Sequence, residues 1–393
     1  MIFMDKFWGY VNPDGTVGTR NHLLILSSTI YSNGLAERVA NSVYGAIPII
    51  HPLGRAQTKS DIRFTFKTLV GTAKNPNIGG VVVLDHFQEE GNTAEEIAEE
   101  IAKTGKPVEI VNIRNSGGTL ESTTKAIRLA MDIARKITLR RRDEVPISKL
   151  LFGLNCGTSD TTSGLSSNPA LGHCSDIIIK QGGRSILAEL TELMGAEEWL
   201  TSRAVNQDVS DKIWKVIADF ENRILDTGED IRGANPTADN ITGGLTTIEE
   251  KSLGAAKKSG SAPIQDVVDW AETPPNKPGV YIMATPGHGA ESITGIGAGG
   301  SQLLVFSTGG GHTISHPIMP TIKVTGNPYS ADYMKDTVDL DVSDVLEGDL
   351  TIEEAGEIIL KEVIEVASGK ITKSEFLLEH NTGFAIHRIG MST

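Results

Sequence analysis

The stretch VVVLDHFQEEGNTAEEIAEEIAKTGKPVEIVNI, residues 81–113, decides the fold. VVVLD (81–85) is an unbroken apolar run, the pattern of a strand buried on both faces. Thr93 and Glu96 follow with the spacing of a capping box, in which each side chain satisfies a free amide at a helix start. Ile97 and Ile101 then fall on one helix face, and Gly105 and Pro107 stop the helix. VEIVNI (108–113) is the next strand. Strand, helix and strand in this order predict a parallel pair joined by a helical crossover.

The alternation extends outward in both directions. HLLILSSTI (22–30) and AIPII (46–50) read as strands, with LAERVANSVY (35–44) at helical spacing between them. The basic stretch RKITLRRRDEVP (135–146) reads as a solvated helix end and linker, so a first domain is expected at 1–147 and a second at 148–393. The second opens with KLLFGLNC (149–156), continues through a helix near 170–181 and the strand SILAEL (185–190), and carries a helical insertion at about 205–275. VYIMATP (280–286), LLVFST (303–308) and TIKVT (321–325) read as its later strands. An amphipathic helix at 351–368 begins with Thr351 and Glu354. The expected class is α/β: two or more α/β units with mostly parallel sheets and an active site at the carboxyl ends of the strands. In the first domain those ends are 27–33, 51–55, 85–86 and 115–118.

Composition narrows the function classes. A chain of 393 residues exceeds one ordinary core. A net charge of −14 speaks against nucleic-acid binding, which needs a basic face. No run approaches the roughly 20 apolar residues of a membrane span, and MIFMDKFWGY lacks the pattern of a secretory leader. Cys156 and Cys174 are the only cysteines, too few for a disulfide framework, so a cytoplasmic location is expected.

Four stretches carry candidate chemistry. In GYVNPDGTVGTRNH (9–22), Arg20 and Asn21 form either an anion clamp or part of a hairpin with a structural arginine, and spacing leaves both open. LNCGTSDTTSGLSSNPALG (154–172) is a long run of small and polar residues after a strand end, the mark of a functional loop. Cys156, Ser159 and Asp160 there suit either a borderline metal such as iron or a polyhydroxylated or acidic ligand. Cys156 as a small buried hydrophobe is the plain alternative, and Cys174 reads as core. Glu189 and Glu192 leave the strand of ILAELTEL (186–193), one as a ligand or base and the other as a helix start. In FSTGGGHTISHP (306–317), Gly309, Gly310 and Gly311 are expected to turn amides toward a ligand. His312 then sits as a strand-end base or metal ligand, with His288 and His316 from neighbouring loops; a structural role is adequate for His316. GIGAGG (295–300) is no dinucleotide fingerprint, because it precedes a strand instead of following one.

Taken together, GYVNPDGTVGTRNH, GLNCGTSD, SGLSSNPALG, ELTEL, GANPTADNITGGLTTIEEKSLGAAKKSG and FSTGGG with PTIKVTGNP resemble the altronate and galactarate dehydratase family from residue 9 to about 369. The resemblance implies an iron(II)-dependent lyase of 2-hydroxy carboxylates, in which C2 loses a proton and C3 its substituent. It implies Arg20 on the substrate carboxylate, His312 as base or ligand, and Glu189 as a further catalytic carboxylate. Asn21, Thr158, Ser159, Asp160, Asn168 and Gly309–Gly311 would bind substrate, and Cys156, His312 and His288 would hold Fe(2+). Family members carry a small domain ahead of the GYV segment, so a separate small subunit and a homo- or hetero-oligomer are expected. The large subunit of (2R)-sulfolactate sulfo-lyase has the same division, which gives sulfite as the alternative leaving group. Gly310 stands where sugar-acid members commonly have arginine, a departure that bears on the substrate. A non-catalytic binding or scaffolding subunit is the reading from another class.

Overall fold

The computed structural model describes residues 5–87, 89–379 and 383–392; residues 1–4 of the stretch read for a leader lie outside these. β1 (Lys6–Val11) and β2 (Val17–Gly18) pair antiparallel around the Asp14-Gly15 turn. β3 (His22–Ser27), β4 (Ala46–Ile49), β5 (Ile78–Asp85) and β6 (Val108–Asn112) form a parallel sheet in the order β4-β3-β5-β6. All eight residues of β5 are buried, which explains its unbroken apolar run. Helices Lys59–Lys74 and Ala94–Ala102 cover one face, and Asn33–Ser42 and Thr119–Ile137 the other. The Thr93–Glu96 capping box forms. β7 (Asp143–Pro146) lies inside the stretch read as a linker and pairs with β1.

The second sheet has seven parallel strands: β8 (Leu151–Gly157), β9 (Arg184–Leu187), β10 (Ile264–Val268), β11 (Gly279–Met283), β12 (Leu303–Thr308), β13 (Thr321–Thr325) and β14 (Leu340–Asp341). Their order is β10-β11-β9-β8-β12-β13-β14. Helices Ser167–Lys180 and Ile352–Ala367 pack on one face, and Gly289–Ala298 on the other. Two corrections concern this unit. The 205–275 region is not helical throughout, because β10 forms the sheet edge; its half-exposed IQDVV gave no long apolar run. The glycine-rich run after Cys156 is not an open loop either. Asp160 accepts the Ser163 amide at 2.8 Å and starts a short helix, Thr161–Leu165.

Buried asparagines join the units: Asn75 donates to Gly297 O and Ser301 O, and Asn77 to Gln302 O and Ile318 O. The chain end returns to the first unit, where the buried Asp61 carboxylate accepts the amides of Ile389 and Gly390 at 2.8 and 2.9 Å. No described helix is long and apolar enough to cross a membrane.

Candidate active site

β8 and β9 are neighbours and end at the same edge. Just beyond them stand two residues with left-handed backbone, Thr158 (φ 52°) and Glu189 (φ 69°). Such strain in non-glycine residues collects at functional sites. Lys258, at the end of the Ile248–Ala256 helix, reaches the same point with no solvent exposure. Its ammonium lies 3.0 Å from Cys156 Sγ and 3.5 Å from Glu189 Oε2. The Cys156 amide donates to Glu189 Oε2 at 3.1 Å, and the Glu189 amide to Thr285 Oγ1 at 2.8 Å. Two turns back, Lys251 pairs with Glu192 at 2.9 Å and donates to Asn235 Oδ1 at 2.8 Å.

Burial sets the protonation states. It pushes the Glu189 carboxyl up to about 7, against the pull of Lys258. It pushes the Cys156 thiol up to about 12, again against Lys258. Burial works against the charge on Lys258, but Cys156, Glu189 and Glu192 outweigh it and hold the amine protonated. The result is a desolvated cation beside a carboxyl group poised near neutrality.

Asp160 and the glycine run form the adjoining wall. A Cβ on Gly309 would fall 2.2 Å from Asp160 Cγ, so only glycine admits this approach. Asn327 Nδ2 donates to the other Asp160 oxygen at 2.8 Å. A Cβ on Gly310 would meet Thr158 Cγ2 at 2.3 Å, so a side chain at this position would need Thr158 to move. The Gly310 amide is bonded to Thr158 O at 2.9 Å, and the carbonyls of Gly309 and Gly310 accept from Ser330 and Tyr333. That amide therefore faces the chain and not a ligand, contrary to expectation. A cavity of about 230 Å³ beside this wall is lined by Ser159, Asp160, Asn168, Lys251 and Lys257. Asn168 Oδ1 in its lining is buried without a hydrogen-bond partner, as a group awaiting a polar ligand is.

Two expected residues lie elsewhere. Arg20 and Asn21 precede β3 and so sit at the amino end of its sheet, away from the carboxyl ends where ligands gather. All five Arg20 N–H groups are spent, on both Glu375 oxygens and the carbonyls of Thr19, Val366 and Lys370. Asn21 bonds Ile137 O and Arg140. The hairpin alternative describes this segment, and the carboxylate clamp does not.

The three expected metal ligands do not converge. His312 Cδ2 approaches the Cβ position of Gly157 at 3.3 Å, which puts the ring on the face opposite Cys156 because strand residues alternate. Its Nδ1 accepts the Ile314 amide at 2.9 Å, so the neutral ring carries its proton on Nε2 and presents no free lone pair. Burial, with Lys323 nearby, keeps its pKa below the usual imidazole value. His288 is exposed and pairs with Glu291 at 3.6 Å. On Cys156 a cation is already present, because the Lys258 ammonium occupies the place a metal would take. Among the described residues no three His, Cys, Asp or Glu side chains are placed to hold a metal ion. Iron does not fit the expected set. His316, by contrast, is buried, with its Nδ1 accepting from the Ile318 amide at 3.4 Å.

The sequence reading missed Lys251, Lys258 and Asn327. The lysines carried a signal: Lys251, Ala255 and Lys258 are spaced i, i+4 and i+7, and a lysine on an apolar helix stripe is out of place unless paired.

Residues 147–392 match the family described as D-galactarate/altronate dehydratase, C-terminal, and residues 9–138 match D-galactarate dehydratase/altronate hydrolase, second domain. The chain belongs to the galactarate/altronate dehydratase family. Relatives within it include a (2R)-sulfolactate sulfo-lyase subunit beta from Chromohalobacter salexigens, 37% identical over 94% of this chain and 95% of the relative. Altronate dehydratase of Bacillus subtilis is 30% identical over 94% of this chain and 75% of its own length. Galactarate dehydratase (L-threo-forming) of Escherichia coli is 31% identical over 93% and 73%. In this chain the segment 233–260 is the one that delivers Lys251 and Lys258.

Proposed function

We propose that the chain eliminates the C3 substituent of a 2-hydroxy carboxylate, as the large subunit of a sugar-acid dehydratase. Its class, a lyase acting on hydroxy acids, follows from family membership. The observation that carries the site is the buried Lys258 ammonium between Cys156 Sγ and the Glu189 carboxylate at the ends of β8 and β9. Glu189 takes the C2 proton, the electron pair of that bond forms C2=C3, and the C3–O bond breaks to release hydroxide; Glu189 then gives its proton to solvent, where it combines with that hydroxide as water. The resulting enol tautomerises to a 2-keto acid. Lys258 stabilises the negative charge that develops on the carboxylate side, where a preorganised cation in a dry site acts most strongly. Lys251 and Lys257 bind the carboxylate in the adjoining cavity, with Ser159, Asp160 and Asn168 on the hydroxyl groups. From the other face His312 donates its Nε2–H to the leaving oxygen.

Iron(II) is kept in the proposal as a cofactor requirement only; the described donors do not form its site and no step is assigned to it. A separate small subunit is proposed as partner, because one relative is named as a beta subunit. Two free, buried cysteines agree with a cytoplasmic location.

Sulfite as leaving group is the second reading. It is favoured by the higher identity to the sulfo-lyase beta subunit, 37% against 30% for an altronate dehydratase. Purified chain with the small subunit and iron(II), offered altronate, galactarate and (2R)-sulfolactate, tests both. A 2-keto acid without sulfite supports the dehydratase; sulfite with pyruvate supports the second reading; no turnover of any of the three sinks the proposal.

A further inference from the structure

We propose a second ligand site, for a small anion that carries a neighbouring hydroxyl group, at the carboxyl edge of the first sheet. It lies at the switch point between β3 and β5, where the strand order reverses and a crevice opens in sheets of this kind. Nothing in the proposed elimination uses this edge.

Two arginines gather on one aromatic ring there. The Arg55 guanidinium stands 4.1 Å from the Phe87 ring centre and that of Arg114 6.0 Å, with Tyr31 edge-on to the same ring at 5.2 Å. Arg55 has an acidic neighbour only at 4.0 Å, in Glu89, and among the described residues Arg114 has no ion pair. Two forked cations held by a ring and largely unneutralised suit a carboxylate or phosphate. The helix Thr119–Ile137 starts here after Gly117 and Gly118, with no side chain capping its first amides.

The floor beneath holds groups without partners. Thr29 Oγ1 and Asn92 Oδ1 are both buried and unbonded, in residues with no solvent exposure. Asn92 Nδ2 donates to Ser28 O at 2.9 Å and to Gly54 O at 3.4 Å, which fixes the amide between the ends of β3 and β4. Asp85, at the end of β5, accepts Ser28 Oγ at 2.6 Å and Asn112 Nδ2 at 3.3 Å. Buried polar atoms left unpaired are costly, and a hydroxyl group satisfies them because it both donates and accepts. Cations at the rim and acceptors at the floor define the ligand: an anionic group beside a hydroxyl.

Calorimetric titration with glycerol 3-phosphate and with glycerate tests the site and separates phosphate from carboxylate. At least one is expected to bind, and Arg55→Ala with Arg114→Ala to weaken it at least about tenfold, the scale of a lost charge-assisted bond. Thr29→Val, which keeps the shape and removes the unpartnered hydroxyl, is expected to weaken it too. Lys258→Met is expected to leave it unchanged, so failure here is distinct from failure of the elimination. Absence of binding by both probes, binding indifferent to the two arginines, or binding lost with Lys258 each overturns the proposal.

Discussion

The Lys258 ammonium lies 3.0 Å from the Cys156 sulfur and 3.5 Å from a Glu189 oxygen, and none of the three residues is more than 6% exposed. Buried charges are poor sources of stability, since desolvation offsets most of their attraction. A function is the simpler reason to keep them. Lys258→Met is therefore expected to lower kcat at least about a hundredfold, the scale for one preorganised electrostatic group, in a protein that remains folded by circular dichroism. Turnover within about tenfold of the native rate would remove Lys258 from the mechanism.

Glu189 gives a pH signature. Its carboxyl is held up to about 7 by burial, and the base form is the deprotonated one. As pH falls through about 7 the base is protonated and kcat/KM is expected to fall with it. Glu189→Gln removes the base and, with it, nearly all turnover. A profile flat down to the ordinary carboxylate range, near pH 4, would place the base elsewhere.

His312 and His316 are expected to separate cleanly. His312→Ala loses the Nε2–H donor and is expected to cost about 10²-fold or more in kcat, while His312→Gln, which keeps an N–H, recovers part of it. His316 is buried against Phe384 and Gly297. His316→Ala is expected to lower the melting temperature, by about 1–3 kcal/mol of stability, with turnover per folded molecule kept. The reverse pattern would exchange their roles.

Arg20→Met tests the correction at the amino end. Removing one partner of a buried pair costs about 3–5 kcal/mol, so a marked fall in unfolding midpoint is expected. KM for the acid substrate is expected to stay within about twofold, because no Arg20 N–H faces the site. A large rise in KM with unchanged stability would restore the clamp.

The alternation of strands and helices was legible because burial on both faces writes itself as runs such as VVVLD and LLVFST. The strand-end rule led from those runs to Cys156, Glu189, Asp160 and the glycine run. The same rule argued against Arg20 once strand direction was considered, since a residue before a parallel strand stands at the wrong end. Lys258 was hidden by its neighbours: Lys257 is exposed and Lys258 is not, and KKSG by itself reads as a solvated helix end. β10 was hidden because an edge strand with three half-exposed residues has no apolar run. The His312 tautomer was beyond any sequence, being set by one backbone amide, that of Ile314.

Asp61 belongs to the second helix of the first unit, yet the amides that donate to its buried carboxylate come from Ile389 and Gly390, more than three hundred positions later. On the ribosome those residues follow Asp61 by 328 and 329 positions, made at roughly 5–20 residues per second. For the many seconds in which everything between is being made, the first unit holds a charged side chain with no backbone donor for it. Its final closure is thus timed by the synthesis of residues 389–390, and a nascent chain stalled before them would carry an unfinished N-terminal unit.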